Sequence, residues 1–192
     1  MGSAYSTYRM ADKTQMYHAW LRDAHAMEEA LIIMLEKQIQ ETEHKPEIQM
    51  RLKAHLEETK EQSKKLESCL KRHGEDTSVT KDALAKFTSA IDGFFMSMPH
   101  DSLVKHAMSS YAAEHFEIAS YTALIVTAND LGDTETARVC SEILNQEIAM
   151  ANWLSEQLPN VVKEHMKEMD AEQTGSSRSS VGMSSESFAR RA

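Results

Sequence analysis

At 192 residues, with 41% hydrophobic and 27% charged side chains, the chain is long enough for one domain with a real core and short for two. A net charge of −9 without a basic stripe argues against nucleic acid as a partner, and no apolar run approaches the roughly 20 residues that span a bilayer. Only 6 Gly and 3 well-separated Pro interrupt it, which sets turn-rich β structure aside in favour of helices.

The remaining composition places the chain more finely. Lysines between Arg51 and Lys71 alternate with Glu57, Glu58, Glu61 and Glu67, the pattern of a solvated helix face of mixed sign. Cys69 and Cys140 have neither CxxC spacing nor a third partner. Two buried thiols in a reducing, cytoplasmic compartment fit that usage. No apolar core of a secretory signal stands at the N-terminus, and 13 Met against 6% aromatics predict an aliphatic and thioether core.

In chain order, residues 1–12 read as a flexible lead-in. A first helix is predicted over residues 12–41, with Leu21, Ala24, Leu31, Ile32, Leu35 and Ile39 at three- and four-residue spacing. After a polar turn, Pro46 suits a first helical position, and the second helix runs to His73, where Gly74 is a natural stop. Residues 75–100 form a long connection holding a helix of its own over 80–96, broken near Gly93. A third long helix spans about 100–129. Asp133 then caps a fourth helix over 134–158, which should end before Pro159. A short turn, a long crossover and a second short turn are the connectivity of an all-α, ferritin-like (rubrerythrin-like) four-helix bundle. The bundle domain is placed at residues 13–165. Residues 166–192 are read as a disordered tail, seven of whose last 22 residues are Ser.

Four glutamates break the apolar pattern. Glu28 lies between Ala24 and Ile32, and Glu117 shares a face with Ala113, Tyr121, Leu124 and Ala128. The two stretches align at an offset of 89 (117 − 28), and the same offset carries Glu58 to Glu147 (147 − 58). Two helix pairs related by a pseudo-dyad would bring all four carboxylates to one level of one core. An unpaired buried carboxylate costs several kcal/mol, and four cannot all stay ionised without compensating cations. Each glutamate alone could instead reach out to solvent from a rim, Glu58 above all. Taken together they point to a carboxylate-ligated pair of metal ions, iron or manganese. His25, His55 and Glu114 stand one turn before Glu28, Glu58 and Glu117. They are further candidate ligands, or polar groups closing one end of the core. Tyr121 either packs or hydrogen-bonds a ligand carboxylate. Trp20 and Trp153 read as packing residues.

At these residues the sequence resembles the YciE/YciF family of bacterial ferritin-like stress proteins, on its YciE side. The matching segments are Trp20-Leu21-Arg22-Asp23-Ala24-His25-Ala26-Met27-Glu28, His55-Leu56-Glu57-Glu58-Thr59-Lys60, Phe116-Glu117-Ile118-Ala119 with Tyr121-Thr122, and Ile143-Leu144-Asn145 with Glu147. The resemblance implies a rubrerythrin-like bundle, a homodimer, a two-metal site and a role in stress. One departure stands out. Ferritin-like sites usually carry Glu-x-x-His on two helices. Here the position three after Glu58 is Glu61, and three after Glu147 is Met150.

Two functions follow as expectations. One is a di-metal centre that oxidises ferrous iron or reacts with a small oxidant such as peroxide. In it Glu28 and Glu117 bridge the ions, and Glu58 and Glu147 are terminal ligands, by analogy with the fold class. The other is a non-catalytic assembly protein with a structural or degenerate metal site.

Overall fold

Five helices and no strand make up the described residues of the computed structural model, which covers the backbone of 2–95 and 102–188 and the side chains of 12–85, 87–89 and 103–171. They are α1 (Gly2–Glu41), α2 (Pro46–Arg72), α3 (Lys81–Phe95), α4 (Ser102–Leu131) and α5 (Thr134–Phe188). α1 packs mainly along α2, and α4 along α5. The two hairpins face each other through α1–α4 and α2–α5, while the crossover helix α3 lies against α1 and α4. This is the ferritin-like bundle with an extra helix in its long crossover. Among the described residues no helix is long and apolar enough to cross a membrane.

The turns follow from local chemistry. Pro46 opens α2, where its missing N–H costs nothing. Gly74 at φ +70° closes α2, with the Glu75 amide donating to the Leu70 carbonyl and the Gly74 amide to Lys71. Gly132 at φ +78° ends α4 in the same way, through Asp133 to Ala128 and Gly132 to Asn129. Asp133 then caps α5, accepting from the Thr136 amide at 3.1 Å. Its carboxylate also meets Tyr17 on α1 at 2.8 Å and His73 behind α2 at 2.6 Å. One residue thereby ties the turn of the α4–α5 hairpin to the open end of the α1–α2 hairpin.

Three helix limits differ from the sequence reading. α1 begins at Gly2, since no Gly or Pro interrupts residues 3–11. α3 runs unbroken through Gly93. α5 continues through Pro159 rather than stopping before it. Pro159 and Ser155, whose carbonyl loses its helical donor, are both exposed, so water can take over that bond. Continuing the helix keeps Val161 on the buried face two turns beyond Leu154. Beyond it Lys45 holds Glu164 at 2.6 Å. The backbone stays helical to Phe188 across the Ser-rich stretch, while the side chains of residues 1–11 and 172–192 lie outside the described residues.

The core is divided. A larger apolar cluster holds Leu21, Met27, Leu66, Leu70, Leu124 and Ile143 among others, including both cysteines. A smaller one holds Leu35, Leu52, Leu56, Met150 and Leu154. Along α2 the buried residues between the two clusters are Thr59, Gln62 and Ser63, and along α5 the residue between is Glu147. A polar layer therefore crosses the bundle.

A Cβ at Gly132 would meet no atom within 4 Å, so Gly132→Ala isolates the backbone term. It should destabilise by about 1–2 kcal/mol, the cost of a left-handed residue with a side chain, and a denaturant melt equal to wild type would refute the assignment of that turn. No residue from Val162 to Ala171 is buried. Truncation after Ala171 should thus leave the melting temperature almost unchanged. A fall of many degrees would show that the distal part of α5 docks on the bundle.

Candidate metal centre

Four helices deliver the polar layer. Glu28 of α1, Glu114 and Glu117 of α4, Glu147 of α5 and His55 of α2 are each at most 3% exposed. Glu114 and Glu117 are one turn apart, so a single face of α4 presents both. One ligand atom each of His55, Glu114 and Glu147 lie within 4.8 Å of one another. His55 Nε2 is 3.2 Å from Glu114 Oε1, and its Nδ1 is 3.2 Å from Glu58 Oε2. The Tyr121 hydroxyl donates to Glu28, and Gln62 donates its amide to Glu147.

These partners do not satisfy the layer. Glu28 Oε2, Glu114 Oε2, Glu117 Oε2 and Glu147 Oε2 are buried with no hydrogen-bond donor in reach. Four carboxylate oxygens orphaned at one level of a core are rare in a folded protein, where buried polar atoms are nearly all paired. The titration behaviour has the same origin. Burial pushes Glu28 up to about 8, against the Tyr121 hydrogen bond and the His55 charge that work the other way. Burial, then Glu114, push Glu147 up to about 10. Burial and the charges of Glu147, Glu114 and Glu28 raise Glu117 well above the usual carboxylate range. Burial opposes the charged form of His55, yet its hydrogen bonds to Glu114 and Glu58 carry it up to about 10. Without a cation, then, the layer holds itself together with protons. A hard cation could replace them, and several carboxylate oxygens with one imidazole form a donor set suited to iron or manganese. The residues fit such a group.

The sequence candidates divide accordingly. Glu28, Glu117, Glu147, Glu114 and His55 share the buried layer. Glu58 does not turn inward: its side chain is 34% exposed and accepts from Arg51 at 3.1 Å as well as meeting His55. The hydrogen bond from His55, then Arg51, holds its carboxyl below the ordinary value. His25 is buried on another side of α1, where it lines a groove with Glu29 and Glu67. Burial lowers its pKa, opposed by those two carboxylates. Tyr121 hydrogen-bonds a carboxylate instead of merely packing. Trp20 is 39% exposed and lies outside the core, while Trp153 packs on the smaller cluster. Gln62 was missed. It shares one helical stripe with His55, Thr59 and Leu66, a signal visible once the phase of α2 is known.

Comparison with known proteins agrees with this architecture. Residues 12–167 match the family described as a domain of unknown function (DUF892). The solved structure of a protein (XCC3681) from Xanthomonas campestris pv. campestris is 34% identical, with a TM-score of 0.70 over 82% of this chain and 99% of that one. YcfI from Rhodopseudomonas palustris is 26% identical at a TM-score of 0.63, covering 74% and 92%. The E. coli stress protein YciF shares the fold at 22% identity and a TM-score of 0.66, covering 79% and 97%.

The raised groups give a pH signature. Between pH 7 and 9 the unfolded chain has ionised glutamates and neutral histidines, whereas the metal-free fold retains protons on Glu28 until about 8 and on Glu147 and His55 until about 10. The folded state then binds more protons, so its stability falls as pH rises. Chelator-treated protein should lose on the order of 1 kcal/mol per pH unit for each such retained proton across that window. A flat stability profile from pH 7 to 9 would rule out a protonated layer.

Proposed function

This chain belongs to the DUF892 family, and we propose that the polar layer of its bundle is a two-metal carboxylate centre, of iron or manganese, that oxidises ferrous iron or consumes peroxide. The observation that carries the reading is the set of four orphaned carboxylate oxygens on Glu28, Glu114, Glu117 and Glu147, with Glu114 and Glu147 offering ligand atoms within 4.8 Å of one from His55. Glu28 and Glu117 come from facing helices and, with Glu114, Glu147 and His55, would hold the ions. When bound, two such ions supply one-electron redox steps to a shared oxygen species.

The chain's own residues do the rest. Glu58 sits outside the layer and holds the Nδ1 side of His55, which leaves Nε2 to face inward. This is the carboxylate–histidine arrangement that fixes the orientation and tautomer of a ligating imidazole. Tyr121 and Gln62 each hold one oxygen of a ligand carboxylate and leave the other free. The apolar clusters on either side exclude water. A cytoplasmic, homodimeric protein active under stress, nearer the YciE side of its relatives, completes the reading. It rests on the sequence resemblance.

A second reading has an observation of its own. The positions where the fold class places histidines are Glu61 and Met150, and one imidazole remains in the layer. The centre would then bind metal for assembly or stability without turnover. Assays of ferrous oxidation and of peroxide consumption on metal-loaded protein separate the two, since only the first predicts either activity.

Elemental analysis of protein purified without chelators should find iron or manganese. Added ferrous or manganous ion should stabilise the wild type by about 2.7 kcal/mol at a hundredfold excess over its dissociation constant. Glu28→Ala and Glu117→Ala should abolish that gain. Their metal-free forms should be as stable as wild type or more so, because repulsion is relieved. Glu58→Gln should bind metal 10–100-fold more weakly, the usual cost of losing an orienting partner. Equal metal-induced shifts in wild type and both alanine variants would remove Glu28 and Glu117 from the ligand set.

A further inference from the structure

A cavity of about 580 Å³ lies outside the polar layer. It lies where the start of the crossover helix α3 leans on α1 and α4. Three aromatic rings line it, Trp20 from α1, Phe87 from α3 and Phe116 from α4. Phe87 and Phe116 touch, with centroids 5.9 Å apart at 55°. Trp20 and Phe116 keep 39% and 57% of their surface exposed, so these rings do not close the cavity by packing on each other. Asp23 and Asp82 also line it, one on α1 and one on the first turn of α3. Among the described residues neither makes an ion pair or side-chain hydrogen bond, and none of those lining the space is Lys, Arg or His.

We propose that this cavity binds an organic cation with an apolar body, an alkyl- or arylammonium compound. The apolar body would displace water from the walls formed by Leu124 and the rings. The ammonium would lie against the negative face of an aromatic ring, with the two aspartates as counter-charges. Charge complementarity selects the occupant. A neutral ligand would leave both carboxylates unused, and an anion would be repelled by them and by a chain of net charge −9. Because the walls come from three helices, the ligand would brace the crossover helix onto the bundle. The site is separate from the polar layer and stands or falls without it.

The test uses the full chain and two probes of one shape, benzyltrimethylammonium and its uncharged isostere neopentylbenzene, followed by tryptophan fluorescence. Trp20 and Trp153 are the two tryptophans, so Trp20→Phe identifies which one reports. The cation should bind saturably and about tenfold more tightly than the isostere, a cation–π contact and one partly screened ion pair taken together. Asp23→Asn and Asp82→Asn should each weaken the cation about threefold and leave the isostere unchanged. Both sites are on the surface, so folding is not at risk, and melting with and without metal provides the check. Equal affinity for the two probes, saturable binding of neither, or an affinity for the cation that neither Asn substitution lowers would each overturn the proposal.

Discussion

Burying charge across the middle of a helical bundle is the constraint on which the rest of this structure depends. Each carboxylate in the layer loses its water, and the desolvation cost is of the order of several kcal/mol per ion if it stays charged and unpaired. The protein meets the cost only in part. Tyr121, Gln62 and His55 satisfy one oxygen each of Glu28, Glu147 and Glu114, and the second oxygens are left buried without a donor. A layer needing only rigidity could have been filled with leucine at a gain in stability. Keeping several half-satisfied carboxylates makes physical sense if something of opposite charge completes them.

That demand explains features distant from it. The two apolar clusters flank the layer, so folding is driven from both sides while the middle contributes little or opposes it. Convergence of side chains from four helices requires the helices to hold their rotation and height. The glycine stops at Gly74 and Gly132, with the Asp133 cap joined to Tyr17 and His73, fix those quantities at one end of the bundle. At the other end Thr42 closes its turn onto Gln38, and Lys45 reaches Glu164.

Much of this was legible in the sequence. Apolar spacing, Pro46, Gly74, Gly132 and Asp133 mark the helix ends, and the length of the central connection marks the bundle type. Glu28 and Glu117 were readable because each interrupts an otherwise apolar stripe. The misreadings have physical causes. Gly93 and Pro159 read as breakers because both weaken a helix locally, but propensity yields where the helix continues to bury side chains, as Val161 shows for α5. His25 was placed by its equivalence to Glu114. Both are buried, yet His25 faces the α2 side of α1 and Glu114 the bundle axis.

Glu58 shows how a pseudo-symmetric repeat can mislead by one residue. On α1 and α4 the offset of 89 holds, since Leu21, Ala24, His25, Glu28 and Leu35 are buried and so are Ser110, Ala113, Glu114, Glu117 and Leu124. On α2 and α5 the buried pattern matches at 88 instead: Leu52, His55, Thr59, Gln62 and Leu66 correspond to Cys140, Ile143, Glu147, Met150 and Leu154. The helix starts give the same figure, Pro46 to Thr134 (134 − 46 = 88). The structural counterpart of Glu147 is therefore Thr59, and Glu58 lies about 100° around the helix from that position, one residue's rotation. On α2 the sequence offers few apolar residues near the layer to reveal the phase, because Thr59, Gln62 and Ser63 are themselves polar and buried. The one-residue slip converts a matched set of four glutamates into an asymmetric one. α4 contributes two carboxylates, α1 and α5 one each, and α2 an imidazole with Glu58 behind it. An asymmetric donor set would give two ions, if bound there, different surroundings and so different affinities and potentials, which a strictly two-fold site cannot do.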